Sequence, residues 1–282
     1  MFPRPIEKSG PVARTAYQAF LPVALFVWLL PLLAIFVTSI RGAADINSGN
    51  IFGWPSEFAL FENYTAVFTQ SAAAQYMLNS VLITVPSVVI SVALACLAGY
   101  ALAIYRFRVA VPLYFLFVAG KFIPFQILMV PVRDMSVQTG LYDTIAGQFL
   151  FHAAFQTGFC TLFMRNFIKA LPFDLIESAR IEGVAEWKIF WYVVLPLVRP
   201  AIAALSVLIF TFVWNDFFWA NVLTQGEAAK PITAGVRALT GQFVNNWHLV
   251  SAASLLAAIP PVLMFFLMQK HFIAGLTLGA VK

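Results

Sequence analysis

The sequence predicts an all-α, polytopic membrane protein that crosses the membrane with six helices. Of its 282 residues, 61% are hydrophobic and only 10% are charged, whereas an average soluble domain is about 25% charged. A helix needs about 20 apolar residues to cross a hydrocarbon core about 30 Å thick. Four stretches of at least that length contain no Asp, Glu, Lys or Arg, and they are 15–40, 63–105, 144–164 and 238–269.

Six spans are predicted along the chain, two of which are interrupted by one charge. They cover residues 15–40, 76–105, 109–132, 142–164, 200–224 and 248–268. Lys121 interrupts the third span and Asp216 the fifth. Pro124 and Pro131 predict a bend in the third span, because proline removes a backbone hydrogen bond from a helix.

We expect one domain over 16–282, after an N-terminal tail at 1–15. The first apolar run, 15–40, is too long for the h-region of about 7 to 15 residues in a cleaved signal peptide. We therefore expect it to be retained as the first span. Residues 41–75 are rich in Gly, Asn, Ser and Pro, which favours turns over regular structure in this external loop.

The basic residues are distributed unevenly between the two sides of the membrane. With the N-terminus inside, one side holds only Arg41, Arg133, Lys230 and Arg237, and most other Lys and Arg residues fall on the opposite side. The side rich in Lys and Arg is normally cytoplasmic. Both termini, including a C-terminal tail at about 269–282, are therefore predicted to be cytoplasmic. The net charge of +5 needs no nucleic-acid partner to explain it.

The longest segment predicted to be cytoplasmic, 165–199, begins with a short amphipathic helix. Leu175, Ile176 and Ala179 recur at helical spacing, with charged residues mostly on other faces. On pattern alone, an interfacial helix that only organises the loop and a helix that docks a partner protein are both open.

Gly183 interrupts this pattern, and a second helix is predicted from about 185 to 195, ending at Pro196. The chain must turn between the two helices. Glycine has no Cβ and adopts positive φ at little steric cost. We therefore expect Gly183 to form the turn.

The residue identities around this turn are distinctive. They are Glu177, Ser178, Ala179, Arg180, Ile181, Glu182 and Gly183, followed by Ile189, Leu195, Pro196 and Pro200. This pattern resembles the EAA loop of the permease subunits of bacterial ATP-binding-cassette importers. Ser178 stands where that family often has alanine, and Glu182 stands where it often has aspartate.

The resemblance extends from about residue 15 to the end of the chain. It is to the carbohydrate-uptake branch, and there to the second permease subunit of maltose-type transporters. The matching residues are Glu62-Asn63-Tyr64, Asn79-Ser80, Met129-Val130-Pro131, Trp214-Asn215 and the tail 269–282. The resemblance implies a type I importer permease fold in a bacterial inner membrane.

The resemblance also implies a set of partners. They are a homologous second permease subunit, two copies of a separate ATPase that binds ATP and Mg²⁺, and an extracytoplasmic solute-binding protein. This chain would then need no cofactor of its own. The EAA loop would form a coupling helix in a groove of the ATPase, with Glu177, Ser178, Ala179, Glu182 and Gly183 as the coupling residues.

Five polar or aromatic residues in the spans are candidates for the translocation pathway, namely Asn79, Lys121, Trp214, Asn215 and Asp216. Intramembrane ionisable residues often mark such pathways. Four of them have an alternative: Lys121 could pair structurally or reach water, Asp216 could be interfacial, Trp214 could be an aromatic-belt anchor, and Asn79 could join helices. His152 is expected to be a packing residue.

Other function classes lack their residues. The chain has no H-E-x-x-H, no G-x-S-x-G and no G-x-x-x-x-G-K-[ST] motif, so a metallohydrolase, a serine hydrolase and an ATPase within this chain are not predicted. Cys96 and Cys160 both fall inside predicted spans, which does not indicate a disulfide framework.

The solute is predicted to be a mono- or oligosaccharide. Glycerol-3-phosphate or another polyol is the closest alternative, because Lys121 suits an anionic group. An ion-coupled secondary transporter is a further alternative, but such a protein would place several ionisable residues near the midplane and show related halves.

Overall fold

The computed structural model describes residues 10–49, 54–239 and 246–280, and its regular elements are helical. The predicted all-α fold class is therefore confirmed. In chain order the helices are α1 (Pro11–Ser39), α2 (Ala43–Asn47), α3 (Leu60–Thr69), α4 (Ala73–Ile104), α5 (Ala110–Gly120), α6 (Met129–Gln138), α7 (Ile145–Lys169), α8 (Asp174–Ile181), α9 (Glu186–Lys188), α10 (Leu195–Leu197), α11 (Arg199–Trp214), α12 (Phe218–Leu223), α13 (Ile232–Ala238) and α14 (Trp247–Ala280).

The chain divides into two compact units. The first is Met1–Ser71 with Leu239–Leu256, and the second is Ala72–Ala238 with Ala257–Lys282. Helix α14 runs through both, because it extends from Trp247 to Ala280.

Within the described residues, three helices have the length and composition of a membrane span: α1, α4 and the Trp247–Gln269 part of α14. Two bent pairs pass the same test together, which raises the number to five. The remaining predicted span lies in α7, which has 25 residues. Its length suffices to cross a membrane, but polar residues such as Gln148 and Gln156 make it less apolar than the others.

The third predicted span is broken rather than gently bent. Helix α5 ends at Gly120, Lys121 is its C-cap, and the chain turns by 93° before the segment Phe125–Gln138. This segment begins with a 3₁₀ turn, Phe125–Leu128, and continues as α6. The bend therefore comes at Pro124, at the break, whereas Pro131 is accommodated inside α6.

The fifth predicted span is wrong at its C-terminal end. Helix α11 stops at Trp214, and a separate short helix, α12, follows the break at Asn215 and Asp216. At the other end, α11 begins at Arg199, one residue from the predicted start, and the second helix of the loop ends at Leu197, next to the predicted Pro196. It runs over Glu186–Leu197, with a π-helical part at Ile189–Val194, and meets α11 at an angle of 73°.

The external loop 41–75 was also wrongly expected to lack regular structure. It contains α2 and α3. Asn63 anchors α3 because its buried side-chain amide donates hydrogen bonds to the carbonyl oxygens of Ser39 (2.9 Å) and Arg41 (2.8 Å). Local turn residues do not reveal an anchor of this kind, since its partners lie more than twenty residues away.

The core of the second unit is built on α4 and α7, with α11 packed against them. Its most buried members include Ala95, Cys160, Met164 and Leu205. Gly99 allows the close approach of α4 and α7, because a Cβ atom there would lie 2.9 Å from the backbone nitrogen of Arg165. Cys96 and Cys160 are both buried in this core.

Candidate coupling loop and solute cavity

Helix α8 presents one apolar side to the core and a polar side to its surroundings. Ile176 is 2% exposed and belongs to the core of the second unit. Glu177, Ser178 and Glu182 are exposed, whereas Ala179 is half-buried and packs against that core. The side chains of Glu177, Ser178 and Glu182 are therefore accessible at the surface, and Ala179 supports the helix from beneath.

Gly183 ends α8 in a left-handed turn, with φ of +75°. The backbone nitrogen of Gly183 donates to the carbonyl oxygen of Arg180, and that of Val184 donates to Ala179, both at 3.0 Å. These two bonds define a Schellman motif, which satisfies the last carbonyl groups of a helix. The predicted glycine turn is confirmed.

The two helices of the loop are joined to the end of α4 by one carboxylate. The Arg180 guanidinium donates to one oxygen of Glu186 at 2.6 Å. The hydroxyl groups of Tyr100 and Tyr105 donate to its other oxygen at 3.0 and 2.7 Å. This hydrogen bond from Arg180 to Glu186 raises the pKa of Arg180, and a charge-assisted cluster of this kind holds α8 in a fixed position.

Sequence reasoning missed two features of this loop. The Glu186 cluster joins residues up to 86 positions apart, so no local pattern reveals it. Ile181 is 82% exposed beside Glu182. Its position off the apolar face of an amphipathic helix was the available signal for this exposure.

A cavity of about 570 Å³ opens in the second unit, away from this loop. It is lined by Lys121, Phe125, His152, Phe155, Gln156, Phe159, Leu208, Phe212, Asp216 and Trp219. The four residues from α7 are spaced 152, 155, 156 and 159, which places them on one helical face. The breaks that end α5 and α11 bring Lys121 and Asp216 to the same cavity.

The polar groups of the cavity stand among aromatic rings. The Lys121 ammonium lies 4.9 Å from the ring centre of Phe155 and 5.6 Å from that of Phe159. Nε2 of His152 lies 3.8 Å from a carboxylate oxygen of Asp216, which also accepts a hydrogen bond from the backbone nitrogen of Ala220 at 3.0 Å. Such a site offers flat apolar faces together with hydrogen-bonding groups.

His152 is buried, as expected of a packing residue, and it also lines the cavity beside Asp216. Its partner, Asp216, is 64 positions away and in a different predicted span. The signal available in the sequence was its place on the same helical face as Gln156, since two polar residues on one face of a span often line a polar site.

The other three pathway candidates lie outside this cavity. The amide of Asn79 donates to the carbonyl oxygens of Ala228 and Lys230, both at 2.9 Å. The indole nitrogen of buried Trp214 donates to Ala257 at 2.9 Å. Asn215 is exposed and donates to the carbonyl oxygen of Thr211. Their roles on the translocation pathway stay predictions.

One external contact also escaped sequence reasoning. Asp143 has a positive φ of 57°, which is uncommon for a residue other than glycine. Its carboxylate accepts hydrogen bonds from the backbone nitrogens of Gln225 and Gly226 at 3.0 and 3.1 Å. These bonds fix the loop that follows α12. They thereby help to position α12, whose Trp219 forms part of the cavity wall.

Comparison with protein families gives one match that spans most of the chain. Residues 76–277 match the family described as the binding-protein-dependent transport system inner membrane component. This range includes both the loop that carries Gly183 and every residue that lines the cavity.

Two curated proteins are similar over nearly their whole length. The osmoprotective compounds uptake permease protein GgtD of Synechocystis sp. is 37% identical over 94% of this chain and 90% of its own. The arabinooligosaccharides transport system permease protein AraQ of Halalkalibacterium halodurans is 30% identical over 98% of this chain and 99% of its own.

A solved structure shares the fold. It is that of a bacterial ABC transporter involved in the import of the acidic polysaccharide alginate, and the matching chain has a TM-score of 0.81 at 23% identity. The match covers 96% of this chain and 99% of the other. The predicted type I importer permease fold is thereby confirmed.

Proposed function

Because the chain belongs to the family of inner membrane components of binding-protein-dependent transport systems, we propose that it is a permease subunit of an ATP-driven sugar importer. Membership makes it a transport component rather than an enzyme. The observation that carries the proposal is the pairing of a rigidly held, partly exposed helix, α8, with a separate cavity lined by aromatic and polar residues.

The cavity suits a sugar in size and chemistry. Sites for small molecules measure about 300 to 1,000 Å³ and combine apolar walls with a few polar groups, and this one measures about 570 Å³. Phe155 and Trp219 present flat faces to the C–H groups of a sugar ring, while Lys121 and Asp216 supply a donor and an acceptor for its hydroxyl groups. The similarity to an arabinooligosaccharide permease supports the same solute class.

The exposed side of the loop is the proposed docking site for the ATPase. A separate ATPase, present in two copies and binding ATP and Mg²⁺, docks on α8 through Glu177, Ser178 and Glu182 at the exposed surface. Gly183 fixes the end of the helix and Ala179 its underside. Closure of the ATPase then moves α8 as a rigid body, and the Glu186 cluster passes this movement to the end of α4. In this proposal the loop and both termini lie in the cytoplasm, as the distribution of Lys and Arg predicts.

The remaining partners complete the importer. A homologous second permease subunit pairs with this chain in the bacterial inner membrane, and a solute-binding protein delivers the sugar from the outside. The family description supports the binding protein, since transport in this family depends on one.

A phosphorylated polyol such as glycerol-3-phosphate is the second candidate solute. The observation in its favour is the Lys121 ammonium in the cavity, which attracts an anionic group. The two candidates differ in charge, so they are separable by competition.

Uptake by cells tests the proposal. Cells that lack the chain are supplied with a labelled arabinotriose, with or without the plasmid-borne wild type, and glycerol-3-phosphate is added as a competitor. We expect uptake only with the plasmid, insensitivity to an ionophore that collapses ion gradients, and no competition. Uptake abolished by the ionophore while cellular ATP is maintained would instead indicate an ion-coupled transporter.

A further inference from the structure

A second concave site, which we call the basic pocket, lies where α4 ends, α5 begins and α7 ends. Its volume is about 760 Å³. It is lined by Leu102, Ala103, Tyr105, Arg106, Phe107, Arg108, Ala110, Val111, Tyr114, Phe115, Arg165 and Lys169. The charged part of this lining comes from α7 and from the connection between α4 and α5, and the apolar part comes mainly from α4 and α5.

The charge of the basic pocket is entirely positive. Arg106, Arg108, Arg165 and Lys169 line it, and no Asp or Glu stands among its lining residues. Arg165 is held in place, since its Nε donates to the carbonyl oxygen of Leu102 at 3.4 Å and its guanidinium lies 4.3 Å from the ring centre of Tyr114. Four cations gathered without a carboxylate repel one another, and an anion relieves that repulsion.

The other part of the basic pocket is apolar and open. Val111 is 63% exposed and Phe115 is 61% exposed, and both lie on the first two turns of α5. Arg106 and Arg108 precede α5 directly, because the helix begins at Ala110. The cations therefore stand at the N-terminal end of the apolar helix α5.

We propose that the basic pocket binds an anionic phospholipid. Arg106, Arg108 and Lys169 hold the phosphate of the headgroup, and an acyl chain lies along Val111 and Phe115. Basic pockets between membrane helices bind such headgroups, and each Lys or Arg near an anionic membrane surface contributes about 1 kcal/mol. The proposal requires only that the chain lies in a membrane, so it stands apart from the assignment of the solute.

The apolar wall distinguishes a lipid from other anions. A free phosphate or a nucleotide phosphate has no acyl chain to cover Val111 and Phe115, and it would leave both exposed. An acidic surface of a partner protein could bind the same cations, but this binding is seen only when the partner is present in the sample. These two occupants are therefore separable from a lipid by the choice of ligand and of protein sample.

Native mass spectrometry of the full chain in detergent tests the proposal. The protein is titrated with phosphatidylglycerol, with phosphatidylcholine of the same acyl length, and with glycerol phosphate. We expect phosphatidylglycerol to bind at least tenfold more tightly than phosphatidylcholine. The double variant Arg106→Gln/Arg108→Gln should lose about 30-fold in affinity for phosphatidylglycerol, which corresponds to two basic residues at about 1 kcal/mol each.

Three controls make the result specific. Lys188→Gln/Arg199→Gln removes the same number of charges away from the basic pocket and should keep wild-type affinity. Arg106→Lys/Arg108→Lys keeps the charge and should stay within about threefold of the wild type. Lys169→Gln, on the opposite wall, should weaken phosphatidylglycerol binding even if the double variant inserts poorly.

Other outcomes would overturn the proposal. Equal losses in the pocket and control variants would show only general attraction to the net positive charge. Glycerol phosphate that binds as tightly as phosphatidylglycerol would make this a site for free phosphate. A third outcome would assign the basic pocket to a protein partner. In that case the chain alone would not bind phosphatidylglycerol, and Arg106 and Arg108 would be protected from chemical modification only when the ATPase is present.

Discussion

At the scale of single residues, the cavity is defined by three ionisable side chains set among aromatic rings. Lys121 and Asp216 stand out in the sequence because each interrupts an apolar stretch, and a charge at the membrane centre is costly. His152 does not stand out, because a single histidine in a helix is compatible with packing. Its pairing with Asp216 depends on the break after α11, and no local pattern in the sequence predicts where that break falls.

Replacing Lys121 should impair transport without impairing assembly. In Lys121→Met we expect the apparent KM for the sugar to rise about tenfold, since one hydrogen bond to a charged group contributes about 1.5 kcal/mol. The side chain lies at a cavity and not in the core, so membrane levels should stay normal. Lys121→Arg keeps the charge and should retain most of the affinity, and unchanged kinetics in Lys121→Met would remove Lys121 from the solute path.

Gly183 is the residue whose role the sequence predicts best, because its turn is local. In Gly183→Val, a β-branched residue must adopt φ near +75°, which costs about 1 to 2 kcal/mol. We expect normal membrane levels, weak co-purification of the ATPase and little solute-stimulated ATP hydrolysis. Gly183→Asn is the matched control, since asparagine tolerates the left-handed region, and it should keep most of the coupling.

At the scale of helices, the breaks matter more than the spans. Composition predicts where apolar helices lie, because each span buries apolar side chains in lipid. Pro124 predicts that the third span bends, but the sequence predicts neither the 93° angle of that bend nor the turn of 73° before α11, since these depend on what packs against each segment. The break after α5 and the separate break after α11 nevertheless form the cavity, because they release Lys121 and Asp216 from regular helix.

The contact between α4 and α7 provides a test of the packing. A side chain at Gly99 would meet the backbone of Arg165, whereas one at Gly120, at the end of α5, would meet nothing within 4 Å. Overpacking costs about 1 to 3 kcal/mol or more. Gly99→Leu should therefore lower the midpoint of thermal unfolding in detergent by about 4 °C or more, and Gly120→Leu should leave it unchanged. Equal midpoints would mean that α4 and α7 are not in close contact.

At the scale of the whole molecule, the architecture separates the coupling surface from the cavity. The composition predicted the fold class, and the local pattern around Gly183 predicted the two short helices of the loop and the turn between them. The sequence did not predict the cluster that fixes the loop to α4 through Glu186, because this cluster joins residues that are distant in the sequence. Such a cluster lets a movement of α8 reach the spans without a change in their internal packing.

The most direct test of this account is ATP hydrolysis by the transporter assembled in proteoliposomes. The full chain is reconstituted with its second permease subunit and its ATPase, and hydrolysis is measured with and without sugar-loaded solute-binding protein. We predict that the loaded binding protein stimulates hydrolysis in the wild type and has little effect in Gly183→Val. An ATPase that fails to assemble with the chain, or stimulation of equal size in both, would contradict the coupling role of α8.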